Sequence, residues 1–179
     1  MEKLNRIFDH PIYALDEKTM EETVANLFFQ TGKTIATAES CTAGRLADRL
    51  TSISGSSLFF LNGVIVYSNA SKIKWLNIPE QTIGQYGAVS EETAKAMAEN
   101  VRIQSGADMG LSVTGIAGPA GGTPEKPVGT VFIGLSAENH LRVYQPFRTL
   151  VPLDRLEFKE RTSQFALDVL RKFLLSYAK

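Results

Sequence analysis

Apolar stretches of strand length alternate with amphipathic stretches of helical period along most of this chain, and this alternation restricts the fold more than any other feature. Strands are predicted over 34–38, 58–67, 109–113, 128–136 and 141–147. Helices are predicted over 16–32, 42–53, 71–76, 90–106 and 153–177. This succession is typical of a three-layer-like α/β domain in which helices pack on a mixed, mostly parallel sheet. The order of the strands cannot be read from the sequence.

The length of the chain predicts one domain, because 179 residues lie within the usual range of roughly 100–200 residues per domain. The first helix is predicted to begin at Asp16, which can cap it, since apolar residues recur at helical spacing from Met20 to Phe28. Residues 1–15 are interpreted as a loosely ordered leader and residues 16–179 as the domain itself.

Charge and ligand content exclude several classes of protein. The sequence has 19 Lys and Arg against 19 Asp and Glu, and a chain with no basic excess is poorly suited to holding nucleic acid by charge. One cysteine, Cys41, and two histidines, His10 and His140, are too few for a typical metal site. No apolar run approaches the length of about 18 residues that spans a membrane. We expect a cytoplasmic protein without metal, cofactor, nucleic-acid partner or membrane contact; a homo-oligomer is compatible with the sequence.

Two segments place hydroxyl groups next to predicted strands. Ser40 and Thr42 lie where a strand ends and a helix begins, which is where ligands collect in open α/β sheets. Backbone N–H groups at such a helix start can hold a phosphate or an oxyanion, although either side chain can equally serve as a helix cap. The second segment, 54–57, ends in Ser57 and is equally consistent with a simple turn.

A third segment brings a phenol and an amine together, because Tyr67 and Lys72 lie five positions apart where a strand ends. Lys72 can act as a general base only if burial or a positive neighbour lowers its pKa towards neutrality, and otherwise it is a solvated surface lysine. Cys41 needs a base or a positive neighbour to react, so we interpret it as a small buried apolar group.

A fourth segment, 113–122, is rich in glycine, which lets the backbone approach a ligand closely. It matches neither the P-loop pattern nor the dinucleotide-binding pattern, because the lysine and hydroxyl of the first and the glycine spacing of the second are missing. An ordinary wide loop is the alternative.

Taken together, six segments resemble one family, the C-terminal domain of the CinA competence-damage proteins, which also occurs alone as nicotinamide mononucleotide deamidase. These segments are TAESCTAG (37–44), SISGSSLFF (52–60), GVIVYSNASK (63–72), GAVSEETAKAMA (87–98), SVTGIAGPAGG (112–122) and EKPVGTVFIGL (125–135). They keep the family's order and approximate spacing, and the similarity extends from about residue 17 to 175. The amino-terminal domain of full-length members has no counterpart here, so a stand-alone deamidase is expected.

The resemblance implies a metal-free serine amidohydrolase that converts nicotinamide mononucleotide to nicotinate mononucleotide and ammonia. Ser40 would be the nucleophile, with Ser57 as the second choice, and Lys72 the base. Tyr67 and Thr114 fall on other polar positions that the family keeps, and we group them with the catalytic residues. In this hypothesis the N–H groups near Cys41 and Thr42 form an oxyanion hole.

Substrate binding is assigned to two further regions. Backbone groups of the glycine-rich loop, together with Arg155, would bind the 5′-phosphate. The substrate-binding set is Thr42, Gly115, Gly118, Gly121, Gly122 and Arg155. The chain departs from the family pattern at Ala43, where a second glycine is common, and at Leu153, where the family has glycine before Asp-Arg.

Two other functions remain open at this stage. The domain could be a non-catalytic nucleotide-binding or interaction module related to competence and DNA damage, or an amidohydrolase for a different nucleotide amide. Retention of both Ser40 and Lys72 favours an enzyme, because a binding module has no need of the pair.

Overall fold

Five strands form one mixed sheet in the computed structural model, which describes residues 18–145 and 154–177. The strands are β1 (Ile35–Glu39), β2 (Phe60–Ile65), β3 (Met109–Gly115), β4 (Val131–Ala137) and β5 (His140–Tyr144). The helices are α1 (Met20–Thr31), α2 (Arg45–Thr51), α3 (Asn69–Leu76), α4 (Glu80–Tyr86), α5 (Glu91–Ser105) and α6 (Arg155–Leu174), and a 3₁₀ turn covers Ser56–Leu58. No helix among the described residues is long and apolar enough to cross a membrane.

The strand order is β2-β1-β3-β4-β5. Strands β2, β1 and β3 are parallel neighbours, whereas β4 is antiparallel to both β3 and β5. Four of the five strands therefore share one direction, which confirms the mixed, mostly parallel sheet. In register, Glu39 pairs with Val113 on β3 and with Ile65 on β2. The carboxyl ends of these three strands therefore meet at one edge of the sheet.

Helices cover both faces of the sheet, because alternate residues of the central strands point to opposite sides. Ile35 of β1 belongs to the core shared with α1, α2 and α6. Ala36 and Ala38 belong to the core shared with residues of α3, α4 and α5. The three-layer arrangement predicted from the sequence is thus confirmed.

Two predicted helix starts are corrected by capping contacts. Helix α1 begins at Met20, because the Thr19 side chain accepts the Glu22 N–H while the Glu22 carboxylate accepts the Thr19 N–H. The cap predicted at Asp16 and the leader 1–15 lie outside the described residues. Helix α2 begins at Arg45 rather than 42, because residues 41–44 form a turn.

Other element boundaries differ by a few residues. Helix α4 was not predicted, and it follows Pro79, which precedes its first turn. Strand β4 begins at Val131 instead of 128, and α6 spans Arg155–Leu174 within the predicted 153–177. The predicted cap of α5 is confirmed, since the Ser90 hydroxyl accepts the Thr93 N–H at 3.1 Å.

Candidate active site

A serine and a lysine meet at the carboxyl edge of the sheet. Ser40 directly follows β1, and Lys72 lies on α3, which begins shortly after β2 ends. The Lys72 Nζ is 3.0 Å from the Ser40 Oγ. Both side chains are buried, with 1% of Lys72 and 8% of Ser40 exposed. The structure therefore brings together the two residues to which the family resemblance assigns the roles of nucleophile and base.

The surroundings of Lys72 determine which way its lone pair points. Its Nζ also lies 2.8 Å from the carbonyl oxygen of Val66 and 3.1 Å from that of Tyr67. A carbonyl can only accept, so a neutral amine must give its two N–H groups to these oxygens. Its lone pair then faces the Ser40 hydroxyl. Burial lowers the pKa of Lys72 to about 8, which makes the neutral form accessible near physiological pH.

The turn that carries Ser40 is held by a carboxylate. Glu39 is buried, and its oxygens accept the N–H groups of Gly44, Leu46 and Ala47 at 2.8–3.1 Å. These are N–H groups that a helix start leaves without a partner. Sequence reasoning missed this role. An acidic residue in a strand whose other residues are apolar or small was the signal that could have found it.

A cavity of about 250 Å³ opens in front of the Ser40–Lys72 pair. It is lined by most of the residues predicted for the site, namely Ser40, Tyr67, Lys72, Thr114, Gly115, Gly118, Gly121 and Arg155. Ala88 and Val89 also line it and were not predicted. They belong to the segment 87–98, which resembles the family, and they directly precede the predicted cap at Ser90. These two facts were the available signal.

Three polar side chains shape the walls and mouth of this cavity. The Thr114 hydroxyl donates to the Ala88 carbonyl at 2.7 Å and so ties β3 to the loop before α5. Arg155, at the start of α6, donates to the Gly118 carbonyl and, at 3.1 Å, to the Tyr67 hydroxyl. Arg155 and Tyr67 are both exposed, so this contact lies at the cavity mouth.

Three predicted residues are not brought to the cavity. Ser57 is exposed in the 3₁₀ turn before β2, at the opposite end of the sheet, which removes the geometric basis for the second-choice nucleophile. Thr42 is fully buried and does not line the cavity. Gly122 also lies outside it, and a Cβ there would be 2.7 Å from the Val128 nitrogen, so its glycine serves loop packing.

Cys41 lies beside the pair without the properties of a nucleophile. Only 5% of the residue is exposed, and burial raises the pKa of its thiol to about 12. A thiol in this state is protonated at neutral pH and reacts poorly. The structure agrees with its interpretation as a packing residue.

The fold and the site define a three-layer α/β domain with a buried Ser–Lys pair in a cavity at the carboxyl edge of the sheet. The family described as the CinA C-terminal domain matches residues 17–174. The chain belongs to this family.

Individual relatives agree with that membership. The chain is similar to a CinA-like protein of Syntrophus aciditrophicus, with 49% identity over 93% of this chain and 39% of the relative. A CinA-like protein of Kosmotoga olearia is 46% identical over 92% of this chain and 39% of the relative. The chain thus spans about two fifths of the length of these curated relatives.

Solved structures share the fold over nearly their whole length. The competence/damage inducible protein CihA of Agrobacterium tumefaciens aligns with a TM-score of 0.81 and 36% identity, covering 90% of this chain and 99% of that one. A CinA superfamily protein of Klebsiella pneumoniae aligns with a TM-score of 0.82 and 28% identity, covering 89% and 99%.

Proposed function

We propose that this domain hydrolyses the amide of nicotinamide mononucleotide, giving nicotinate mononucleotide and ammonia. The observation that carries the proposal is the buried Lys72 Nζ at 3.0 Å from the Ser40 Oγ, with two carbonyls holding its other hydrogen-bond positions. A lysine kept in this way is a base rather than a surface charge. The substrate is the one that the family resemblance implies.

Acylation begins when the neutral Lys72 amine takes the proton of Ser40 as its Oγ attacks the amide carbon. The N–H group of Cys41 is the proposed oxyanion donor, because Cys41 lines the cavity and the fully buried Thr42 does not. Within the described residues this N–H donates to no backbone carbonyl, whereas the Ser40 N–H is already bonded to Val113 at 2.9 Å. The Lys72 ammonium then protonates the amide nitrogen, and ammonia leaves as the C–N bond breaks.

Deacylation repeats the same transfers with water. Lys72, again neutral, takes a proton from water as the oxygen attacks the ester carbon. It returns the proton to the Ser40 oxygen as the ester bond breaks, and the released carboxylic acid loses its remaining proton to solvent. Each cycle consumes one water and leaves both side chains in their starting state, so the mechanism needs no further reactant.

Recognition of the 5′-phosphate is assigned to the other end of the cavity. Arg155 is a second basic residue of the lining besides Lys72, and it lies with Gly118 and Gly121 on the glycine-rich side. A guanidinium and backbone N–H groups form a common phosphate site. In this proposal Arg155 exchanges its contact with the Tyr67 hydroxyl for the phosphate.

The test is ammonia release from nicotinamide mononucleotide by the purified chain, by four single variants and by one double variant. Ser40→Ala and Lys72→Ala should each lower kcat by at least about 10⁴-fold, and the double variant should be no slower than the worse single one. Ser57→Ala and Cys41→Ala should stay near the wild-type rate, since one residue is remote and the other packs.

Each alternative predicts a different result. Binding of the mononucleotide without turnover would favour the binding-module hypothesis, and turnover of other nucleotide amides alone would change the substrate. An inactive Cys41→Ala variant that remains folded would overturn the serine mechanism. Exhaustive chelation with EDTA should leave the rate unchanged, because neither step calls on a metal.

A further inference from the structure

A second cavity, of about 410 Å³, lies between the edge strand β5 and the C-terminal half of α6. Its lining includes His140, Arg142 and Tyr144 from the strand and Phe165, Lys172 and Phe173 from the helix. The first cavity shares none of these residues. The two cavities are thus separate features of the domain, although both touch α6.

The β5 wall of this cavity follows from strand alternation. His140, Arg142 and Tyr144 are two residues apart and so face the same side of the sheet, towards α6. On that side Tyr144 packs against the main core. Polar and basic side chains of β5 therefore lie beside the apolar side chains that pack against the main core.

The charge of the lining is positive. Arg142 forms no ion pair with any residue in the described ranges, and no carboxylate lines the cavity there. The other cation, Lys172, lies 2.7 Å from Asp168, but the same carboxylate also pairs with Arg171 at 2.8 Å. One carboxylate shared by two cations leaves a net positive charge beside the unpaired Arg142.

The aromatic groups and one orphaned nitrogen indicate a ligand. The His140 ring lies 4.4 Å from the Phe173 ring, and its Nε2 is buried with no hydrogen-bond partner in the described part of the chain. Buried polar atoms normally have a partner, so the imidazole gains a hydrogen bond if it turns this nitrogen towards a ligand in the cavity. Burial and the nearby Arg142 charge lower the pKa of His140, which an anion would reverse.

We propose that this cavity binds a small aromatic anion, with its acid group on Arg142 and its ring against the Phe173 side chain. The acid group can be a carboxylate or a phosphate, since a guanidinium pairs with either through two N–H groups. Phenylalanine and tyrosine rings supply the apolar contact area for the aromatic part. The inference is independent of the proposed hydrolysis, because no residue of that site takes part.

The experiment uses three naphthalene probes that differ only in the group they carry: 2-naphthoate, 2-naphthyl phosphate and the uncharged 2-naphthamide. Binding is followed by calorimetry and by the imidazole NMR signals, of which the chain has two sets, from His10 and His140. A His10→Gln variant assigns them. At least one acid should bind with Kd of about 1 mM or tighter, the range for fragments of this size, and shift the His140 signals.

Two arginine variants make the test specific. Arg142→Gln should weaken binding of the acid by about 10- to 150-fold, the effect of losing one charge-assisted contact. Arg161→Gln is the matched control, because Arg161 is an exposed arginine of α6 that pairs with Glu157 and does not line the cavity. It should bind the acid as the wild type does.

The outcomes show whether the probe's acid group or its ring alone accounts for binding. Preference for the phosphate or for the carboxylate identifies the acid group and supports the proposal either way. Equal binding of the amide, equal losses in the two arginine variants, or no shift of the His140 signals with any probe would each overturn it.

Discussion

At the scale of single residues, the central feature is Lys72, whose two protonation states form different hydrogen bonds with the same three neighbouring oxygens. As an ammonium, Lys72 can donate to all three surrounding oxygens but has no lone pair with which to take a proton. As an amine, it keeps the two carbonyl contacts and directs its lone pair to Ser40. Only the deprotonated form can start the proposed reaction, so the rate must follow its titration.

This gives a prediction about pH. Burial lowers the pKa of Lys72 to about 8, so the active, neutral fraction grows as pH rises through that value. The kcat/KM of mononucleotide hydrolysis should rise about tenfold per pH unit below the pKa and level off above it. A pH–rate profile in constant ionic strength measures this. A profile that is flat between pH 6 and 9 would exclude Lys72 as the base.

A second residue-scale prediction concerns the turn after Ser40. Ala43 is exposed and has φ of 52°, a left-handed conformation that costs an L-residue roughly 1–2 kcal/mol. Glycine removes this cost, but it also increases the conformational entropy of the unfolded chain, which cancels part of the gain in stability. Ala43→Gly should therefore raise the free energy of unfolding by about 0.5–1 kcal/mol in urea denaturation.

The matched control is Ala47→Gly, one turn further along inside α2. There the backbone is helical, and glycine should lower the free energy of unfolding by about 0.5–1 kcal/mol. If both variants lose stability equally, the backbone at Ala43 is not left-handed in solution.

At the scale of elements, α5 lies unusually close to the sheet because glycines leave room for its backbone. A Cβ on Gly110 of β3 would be 2.0 Å from the Ala98 carbonyl oxygen, and one on Gly134 of β4 would be 2.4 Å from that of Ala94. These distances are far inside van der Waals contact. Adding a methyl group would push the helix away from the strands and disturb the loop that precedes it, which carries Ala88 and Val89.

We therefore expect Gly110→Ala to lower the free energy of unfolding by about 1–3 kcal/mol through overpacking. Gly84→Ala is the control, because Gly84 lies inside α4 with no atom within 4 Å of its added Cβ. That variant should gain about 0.5–1 kcal/mol from helix propensity. Urea denaturation of both proteins checks the prediction, and a neutral Gly110→Ala would contradict the close contact.

The element scale also explains what the sequence could and could not predict. Alternating periodicity was sufficient for the layers, and local caps such as Ser90 placed helix starts. The start of α2 was missed because its N–H groups are capped by Glu39, from the preceding strand, and not by a neighbouring serine or threonine. Helix α4 was missed because Pro79 directly before it and Gly84 inside it are residues typical of loops.

The candidate site shows the same division. Ser40 and Lys72 were singled out through the family resemblance, because the local pattern alone left a helix cap and a solvated lysine as alternatives. The exclusion of Ser57 was not predictable, since its motif is equally distinctive and only the sheet register places it at the other end of β2. Which of two similar motifs reaches the cavity depends on how distant strands pair, and a local sequence pattern does not contain that information.

At the scale of the whole molecule, the cavity exists only when distant segments of the chain are folded together. Ser40 follows β1, and Lys72 lies in the helical layer on one face of the sheet. Arg155 lies at the start of α6, in the layer on the other face, and donates to the Gly118 carbonyl. A ligand that spans from the Ser–Lys pair to Arg155 contacts all three. Its binding must therefore stabilise the entire fold against unfolding by mass action.

The last prediction uses this coupling to measure recognition without turnover. In a Ser40→Ala background, nicotinamide mononucleotide at about 100 times its Kd should add about 2.7 kcal/mol to the free energy of unfolding. For a domain of this size, that raises Tm by about 5–10 °C. Nicotinamide riboside at the same concentration should raise Tm about half as far or less, because loss of the phosphate contact weakens binding about 10- to 150-fold.

Adding Arg155→Ala should reduce the difference between the two ligands to the part that the glycine-rich backbone supplies, whereas adding Arg161→Ala, on the exposed face of the same helix, should preserve the full difference. The comparison within each variant cancels any effect that loss of the Tyr67 contact has on the cavity mouth, since both ligands meet the same altered protein. Equal Tm shifts for mononucleotide and riboside already in the Ser40→Ala protein would show that the phosphate is not recognised. A difference that Arg155→Ala leaves undiminished would assign phosphate recognition to the glycine-rich backbone alone.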